Sequence, residues 1–199
     1  VTPLIKKFVL SYKDLPVAPY QIQTKFRNEL RAKAGLIRGR EFSMKDLYSF
    51  HKDENDLNEY YKLVQKAYFK IFDRCGLLDM TYLTFASGGA FSKYSHEFQS
   101  LTSAGEDLIH ICDNCDIAIN EEIIKDQDKC PNCGNDDLRK EKAVEVGNIF
   151  NLGTRFSEAE ELYYLDEEGN PFYQGTVALN QQYVGYSGNK ILPGMTVQA

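Results

Sequence analysis

The sequence contains no apolar run long enough to span a bilayer and no excess of positive charge. Its 199 residues carry 23 Lys and Arg against 29 Asp and Glu, which gives a net charge of −6. The first absence argues against a membrane-spanning protein, and the second against a protein that holds nucleic acid by bulk electrostatics alone. The stretch from Val1 to Lys7 also lacks the order of charge, apolar run and cleavage site of a signal peptide. We therefore expect a cytoplasmic protein without membrane contact.

Low-complexity segments and internal repeats are absent too, and the composition is that of a chain that folds. Hydrophobic residues make up 43% of the sequence, charged residues 26% and aromatic residues 13%. A chain of this length suffices for one domain, or for one domain with a small satellite. The remaining patterns concern how that domain is built.

The clearest helix signal lies at residues 56–74, where apolar side chains recur at spacings of three and four. A second, shorter helix is expected within residues 1–14. Strand patterns predict a long hairpin with its turn around Lys33-Ala34-Gly35, and further extended segments later in the chain. The expected strands are 20–29, 36–48, 143–152 and 162–165. Because strands and helices do not alternate strictly, the predicted fold class is α+β, with an antiparallel sheet flanked by helices.

Four of the five cysteines form two CxxC pairs with fourteen residues between them, a spacing typical of four-cysteine zinc sites. A disulfide pair or ordinary buried thiols are the alternatives, and both are uncommon for this pattern in a reducing compartment. A site closed by four thiolates is structural and does not activate water. The predicted Zn²⁺ ligands are Cys112, Cys115, Cys130 and Cys133.

The region between Lys25 and Lys45 is positive by five charges in an otherwise acidic protein. This charge predicts an anion site, or else a solvated basic face. Within it, Phe26-Arg27-Asn28-Glu29 is followed by a loop and then by Arg38-Gly39-Arg40-Glu41-Phe42. The form FRxE, loop, RxxxF resembles motif 2 of class II aminoacyl-tRNA synthetases.

Longer strings extend this resemblance to the bacterial-type prolyl-tRNA synthetases over residues 1 to about 170. It implies activation of proline by ATP with Mg²⁺, ligation to tRNA(Pro), and a homodimeric full-length enzyme. The strings that carry it are YQIQTKFRNELRAKAGLIRGREFSMKDLYSFH, SHEFQ and VEVGNIFNLGTRFS.

The resemblance assigns roles to the motif 2 residues. Arg27 is implied to be the catalytic cation that holds the α-phosphate and the attacking carboxylate. Glu29 is implied to accept from the adenine amino group, Arg38 to reach the γ-phosphate, and Phe42 to stack on adenine. For Glu145 the resemblance implies a place facing ATP or its magnesium, with a solvent-facing strand residue as the alternative.

A proline pocket beside the nucleotide is also implied. Asp46 is expected to meet the imino nitrogen of proline, and Glu97 to support that charge. Met44 is expected to line the pocket. His96 is expected either to contact proline directly or to act as a structural histidine.

Four departures from the family pattern bear on activity. Motif 1, which forms the dimer, and a threonine-and-glutamate loop lie upstream in the family and are not in this sequence. The last arginine is Arg155, whereas the family carries an ATP-binding arginine in motif 3 beyond the turn at Gly169. A short zinc-ribbon insertion stands where many bacterial enzymes have an editing domain, so no editing is predicted. The predicted division is 1–106 and 143–199 for the catalytic core, incomplete at motif 3, with 107–142 as the insertion.

Two other functions remain possible on the sequence. One is a non-catalytic synthetase-like protein that binds ATP, RNA or a protein partner, which a degenerate end after Arg155 would fit. The other is a zinc-ribbon module that binds nucleic acid. Against the second, the ribbon is crowded with aspartates where phosphate contacts would need basic residues.

Overall fold

The computed structural model of the chain describes residues 1–32, 35–89, 94–173 and 177–184. Its helices are α1 (Thr2–Ile5), α2 (Glu54–Arg74) and α3 (Arg155–Ala159). Its strands are β1 (Tyr20–Phe26), β2 (Glu41–Phe50), β3 (Thr81–Ser87), β4 (Tyr94–Leu101), β5 (Asp107–Cys112), β6 (Ile117–Asn120), β7 (Arg139–Asn151), β8 (Tyr163–Leu165), β9 (Pro171–Tyr173) and β10 (Val177–Val184). No helix in these ranges is long and apolar enough to cross a membrane.

Eight of the strands form one sheet in the order β1-β2-β10-β7-β4-β3-β6-β5, and β8 and β9 form a separate pair. The sheet is mixed, so the expectation of an antiparallel sheet was wrong: β3 and β6 run parallel. The physical reason is the length of β7, which pairs with β5 through residues 139–143 and with β4 through residues 143–149. This sharing brings the β5–β6 hairpin beside β3 with β6 in the parallel direction.

The predicted hairpin is confirmed, with shorter strands than expected: β1 ends at Phe26 and β2 begins at Glu41. Lys33 and Ala34 of its turn lie outside the described residues. The helix expected within residues 1–14 is limited to α1, because Leu10 binds β8 instead of continuing the helix: the N–H of Leu165 donates to the Leu10 carbonyl at 3.1 Å. Strand β10 was not predicted, and it lies between β2 and β7.

Helix α2 begins where Asp53 accepts a hydrogen bond from the Asp56 N–H at 2.8 Å, and its predicted position is confirmed. It packs on one face of the sheet, where the Tyr68 ring stacks on Phe98 with 4.6 Å between ring centroids. Gly147 makes this approach possible, since a Cβ there would lie 2.7 Å from the Tyr68 ring. We call the surface of the sheet under α2 the helix face and the opposite surface the polar face.

A second core cluster lies at one end of the polar face. It joins the N-terminal segment and the β8–β9 pair to the ends of β2 and β7, and its buried members are Ile5, Val9, Phe50, Phe150, Leu152, Leu162 and Tyr164. The rest of the described polar face carries polar side chains such as Asp46, together with Met44 and Phe42. The candidate site lies there.

Candidate active site

A line of polar residues crosses the sheet on the polar face. The strand registers pair Gln21 with Asp46, Asp46 with Gln181, Gln181 with Asn148, and Asn148 with Glu97. Directly paired residues share a face of a sheet, so these positions lie side by side. Asp46 and Glu97 are three strand spacings apart, or about 14 Å. They share a face as expected, but with two strands between them.

Asp46 is 1% exposed and receives two donors on one carboxylate oxygen. Lys25 Nζ lies 3.0 Å from its Oδ2, and Gln21 Nε2 donates to the same atom at 2.7 Å. No described residue donates to the other oxygen, Oδ1, which is buried. A buried carboxylate oxygen without a donor is costly unless a ligand completes it. This atom therefore fits the cationic group of a ligand.

Arg27 lies one residue beyond β1 and extends the hairpin, because its N–H donates to the Arg40 carbonyl at 2.9 Å. Its guanidinium carbon is 5.5 Å from the centre of the Phe42 ring. Partial burial lowers the pKa of Arg27, while the nearby carboxylates, Glu145 first and then Asp46, act to raise it. The structure thus brings together a cation, an aromatic ring and an acid from three separate parts of the sequence.

The expected strand 20–29 would place the side chains of Arg27 and Glu29 on the same face. In the structure the strand ends at Phe26, before both residues. The N–H of Glu29 donates to the Arg27 carbonyl at 2.8 Å, so the chain already turns here. Its carboxylate meets Arg38 at 3.3 Å, and Arg38 also pairs with Glu106 at 2.7 Å. The pKa of Arg38 is raised, chiefly by its hydrogen bond to Glu106. Glu29 and Arg38 are therefore brought together. Arg38 is paired with two carboxylates, and a phosphate would have to replace one of them to bind it.

Glu97 is buried in a network of amides. Gln99 Nε2 and Asn120 Nδ2 both donate to its Oε2, at 2.9 and 3.1 Å. Gln99 also donates to Asp107 at 3.0 Å. Burial raises the pKa of Glu97 to about 7, against the two amide donors, which lower it, and with smaller repulsion from Glu122 and Asp107. The carboxyl therefore changes charge near neutral pH.

This raised pKa predicts a pH-dependent stability. A carboxyl with a higher pKa in the folded than in the unfolded state stabilises the fold at low pH, and that contribution is lost as the pH rises from about 4.5 to about 7. We expect Glu97→Gln to raise the free energy of unfolding by about 3 kcal/mol at pH 8 and to leave it nearly unchanged at pH 4.5. Urea unfolding at both pH values measures this. The exposed helix residue Glu59 supplies the control, Glu59→Gln, and equal effects of the two variants at pH 8 would contradict the prediction.

His96 lies on the helix face, apart from Glu97 and Asp46. Its Nδ1 is 2.8 Å from the hydroxyl of Tyr61 on α2, and its ring packs edge-on against Phe85. The reason is strand geometry, since neighbouring residues of β4 point to opposite faces. The structure does not bring His96 and Glu97 to one pocket. Met44, in contrast, lies on β2 two residues from Asp46 and on the same face, and it is 5% exposed.

A second constellation has the connectivity of a catalytic triad. His51 places Nε2 2.9 Å from Ser49 Oγ and Nδ1 3.1 Å from Asp56 Oδ2. Both Ser49 and His51 are fully buried, so no substrate reaches the hydroxyl. The group instead fastens the start of α2 to the end of β2.

The four cysteines predicted as metal ligands converge. Their sulfur atoms all lie within 4.8 Å of one another, and Cys112 and Cys133 are 3.6 Å apart. Tetrahedral Zn²⁺ with bonds of about 2.3 Å separates its sulfurs by about 3.8 Å, so the set fits this ion. Each pair sits in a tight turn, with the N–H of Cys115 donating to Cys112 and that of Gly134 to Cys130. Gly134 has a φ of +75°, which favours glycine.

The cysteine turns are attached to the main sheet. Cys112 is the last residue of β5, and β5 and β6 pair with β7 and β3. The stretch 107–142 therefore shares backbone hydrogen bonds with β7, which carries Glu145, and with β3, which is the neighbour of the strand that carries Glu97.

Several site residues escaped the sequence analysis: Gln21, Lys25, Gln99, Asn120 and Asn148. A signal existed for Gln21 and Lys25, because polar residues recur at every second position of β1 on the face of Asp46. Gln99 stands two residues from Glu97 and had the same signal. Asn120 and Asn148 had none, since long-range pairing alone brings them to the site.

These features define the core of a class II synthetase: a motif 2 hairpin on the polar face of a mixed sheet with few helices, and an arginine of that hairpin over an aromatic ring. Residues 1–179 match the family model for the tRNA synthetase class II core domain (G, H, P, S and T). The chain belongs to this family.

Its relatives by sequence are proline--tRNA ligases, which confirms the resemblance predicted from the motifs. The chain is 40% identical to that of Sulfurimonas denitrificans, over 88% of this chain and 45% of the relative. It is 50% identical to that of Moorella thermoacetica, over 62% of this chain and 21% of the relative. It therefore spans less than half the length of these relatives.

Solved structures share the fold. The prolyl-tRNA synthetase of Cryptosporidium parvum, in a complex with L-proline and AMP, matches with a TM-score of 0.62 at 18% identity, over 92% of this chain and 30% of that one. The same enzyme complexed with halofuginone and AMPPNP matches with a TM-score of 0.63.

Proposed function

We propose that this chain is part of the catalytic domain of a proline--tRNA ligase, which activates proline with ATP and transfers it to tRNA(Pro). The observation that carries the proposal is the grouping of Arg27, Phe42 and Glu145 on the polar face that also holds Asp46. The relatives named proline--tRNA ligase support the choice of amino acid.

In the proposed reaction a carboxylate oxygen of proline attacks the α-phosphorus of ATP, and the bond to the bridging oxygen breaks to release pyrophosphate. Arg27 holds the α-phosphate and the carboxylate, because negative charge builds between them in the transition state. Its planar fork binds both groups in pairs, which a lysine cannot do. Phe42, already in contact with Arg27, stacks on adenine.

Glu29 and Arg38 bind the two ends of the nucleotide in this proposal. The γ-phosphate replaces Glu106 or Glu29 as a partner of Arg38, and Glu29 then accepts from the adenine amino group. Glu145, which accepts from Asn148 Nδ2 at 3.1 Å, faces ATP and supplies a carboxylate for its Mg²⁺. The ion neutralises phosphate charge.

For proline, the unpaired Asp46 Oδ1 meets the imino cation, and Met44 lines the same part of the polar face. Glu97 adds negative charge from the far side of Asn148. His96 is a structural histidine in this proposal, because it contacts Tyr61 and Phe85 on the opposite, helix face of the sheet. The four cysteines hold one structural Zn²⁺ in a ribbon-like insertion, and the full-length enzyme is proposed to be a homodimer.

Proline-dependent exchange of pyrophosphate into ATP by the full-length protein tests the proposal. Asp46→Asn keeps the shape of the side chain and removes its charge, and loss of a charged hydrogen bond costs about 1.5–3 kcal/mol. We expect the KM for proline to rise by about 10- to 100-fold, with the KM for ATP nearly unchanged. Asp73→Asn, at an exposed position of α2, is the matched control.

Two outcomes would count against the proposal. Exchange driven by another amino acid in preference to proline would overturn the substrate. Nucleotide binding without exchange for any amino acid would instead support the non-catalytic, synthetase-like alternative.

A further inference from the structure

The stretch 107–142 carries the cysteine turns, yet its residue Asn120 reaches Glu97 on the polar face. Asn120 is the last residue of β6, is 8% exposed, and donates to Glu97 Oε2 at 3.1 Å. On its other side, Asn120 Oδ1 accepts from the Glu122 N–H at 3.2 Å, which fixes the orientation of the amide. The amide nitrogen is thereby directed at Glu97.

Gln99 completes the arrangement from β4. It is fully buried, and its amide nitrogen donates to Glu97 Oε2 and to Asp107 Oδ2, at 2.9 and 3.0 Å. Both amides thus bind the same oxygen of Glu97. No hydrogen bond from a described residue reaches Oε1, so this is the oxygen left for a ligand.

We propose that Gln99 and Asn120 are positioning residues, which hold Glu97 Oε2 so that Oε1 faces the amino-acid substrate. This inference rests on the proposed function for the role of Glu97. It gives the 107–142 stretch a part in substrate binding through Asn120.

The physical reason for two amides is the cost of a buried carboxylate. Four groups face Glu97: two neutral amides, from Gln99 and Asn120, and two acids, Asp107 on β5 and Glu122 after β6. The acids and the burial favour the neutral carboxyl, and only the amides favour the anion. Losing one amide therefore raises the pH at which the anion forms.

The first test is Asn120→Asp in the full-length protein. The new carboxylate keeps the acceptor for the Glu122 N–H but exchanges the N–H donor for an oxygen that repels Glu97. We expect the KM for proline to rise at least 10-fold at pH 7.5, with kcat and the KM for ATP within about twofold. The acid limb of kcat/KM for proline, near pH 7 in the wild type, moves upward by about one pH unit.

A double variant separates positioning from general damage to the fold. If Asn120 acts through Glu97, Asn120→Asp adds little to a protein that already carries Glu97→Gln, because no carboxylate remains to be held. Additive effects on the KM for proline would overturn the inference. Gln99→Met, which keeps the length of the side chain without its donor, gives a second measurement if Asn120→Asp fails to fold. Gln127→Glu makes a similar chemical change elsewhere in the same stretch and is the control.

The wild type tests the proposed function separately, since it depends on proline-driven exchange alone. If the wild type uses a different amino acid, the same KM comparison is made with that substrate. If it uses none, the ¹³C NMR titration of the Glu97 carboxyl decides: a midpoint raised by Asn120→Asp supports the inference, and an unchanged midpoint overturns it.

Discussion

Arg27→Ala in the full-length protein is expected to lower the rate of proline-dependent pyrophosphate exchange by about 100- to 1,000-fold. Removal of one preorganised donor from a transition state that gains charge costs about this much. Arg27 stands over Phe42 and beside Glu145, so the substitution removes the cation from the centre of the proposed nucleotide site. Since the proposed contact is with the reacting phosphate and carboxylate, the loss should fall mainly on kcat. Steady-state kinetics with each substrate varied in turn measures it.

The matched control is Arg31→Ala. Arg31 belongs to the same basic segment, its side chain is exposed, and only its backbone N–H contacts Glu29. It should therefore retain exchange within about twofold. Arg27→Lys should recover little of the exchange activity, since an ammonium cannot bind two pairs of oxygen atoms at once. Near-normal exchange by Arg27→Ala would show that the assigned site is wrong even though the family is right.

Metal removal is expected to give the largest change in stability. Structural Zn²⁺ contributes about 10–16 kcal/mol of apparent binding energy in small zinc modules at pH 7, and most of this is folding energy. We expect one zinc per chain by elemental analysis of reduced protein, and Cys130→Ser to reduce it strongly. The buried Cys130 holds the second turn, where its N–H donates to the Asn135 carbonyl at 2.8 Å.

The structure also predicts where the damage spreads. β5 and β6 pair with β7 and β3. On metal removal, amide hydrogen exchange should therefore speed up in β7 and β3 as well as in β5 and β6, while β2, at the other side of the sheet, keeps its protection. Cys75→Ser is the control, since Cys75 is exposed at the end of α2 and outside the cluster. Metal-free protein with unchanged exchange in β5 and β6 would contradict a structural role for the ion.

Asn120 links the cysteine turns to Glu97, so metal removal is also expected to affect substrate binding. Asn120 lies at the end of β6, so loosening of β6 removes one of the two donors to Glu97. Metal-depleted protein should then show weaker proline binding together with unchanged nucleotide binding. The buried Glu97 also illustrates a conflict between stability and the proposed function, since the ionised carboxyl that would attract the substrate's cation is the form that burial disfavours.

The sequence by itself determined the features that depend on short-range spacing. The helix around Val64 follows from apolar residues three and four apart, the hairpin from two strand patterns around a turn, and the cysteine cluster from two CxxC turns. Arg27 and Phe42 meet because the hairpin register is local. The separation of His96 from Glu97 was also within reach, since adjacent strand residues point to opposite faces.

Only the tertiary structure decided the rest, because it depends on pairings between distant segments. Strand β10 takes its place from β2 and β7, and no strong pattern of its own predicted it. The parallel pairing of β3 with β6 follows from the length of β7, which serves two partners. Asn120 reaches Glu97 through that parallel pairing, across 23 positions of the chain. Such contacts lower the free energy only in the assembled sheet, so no local run of residues encodes them.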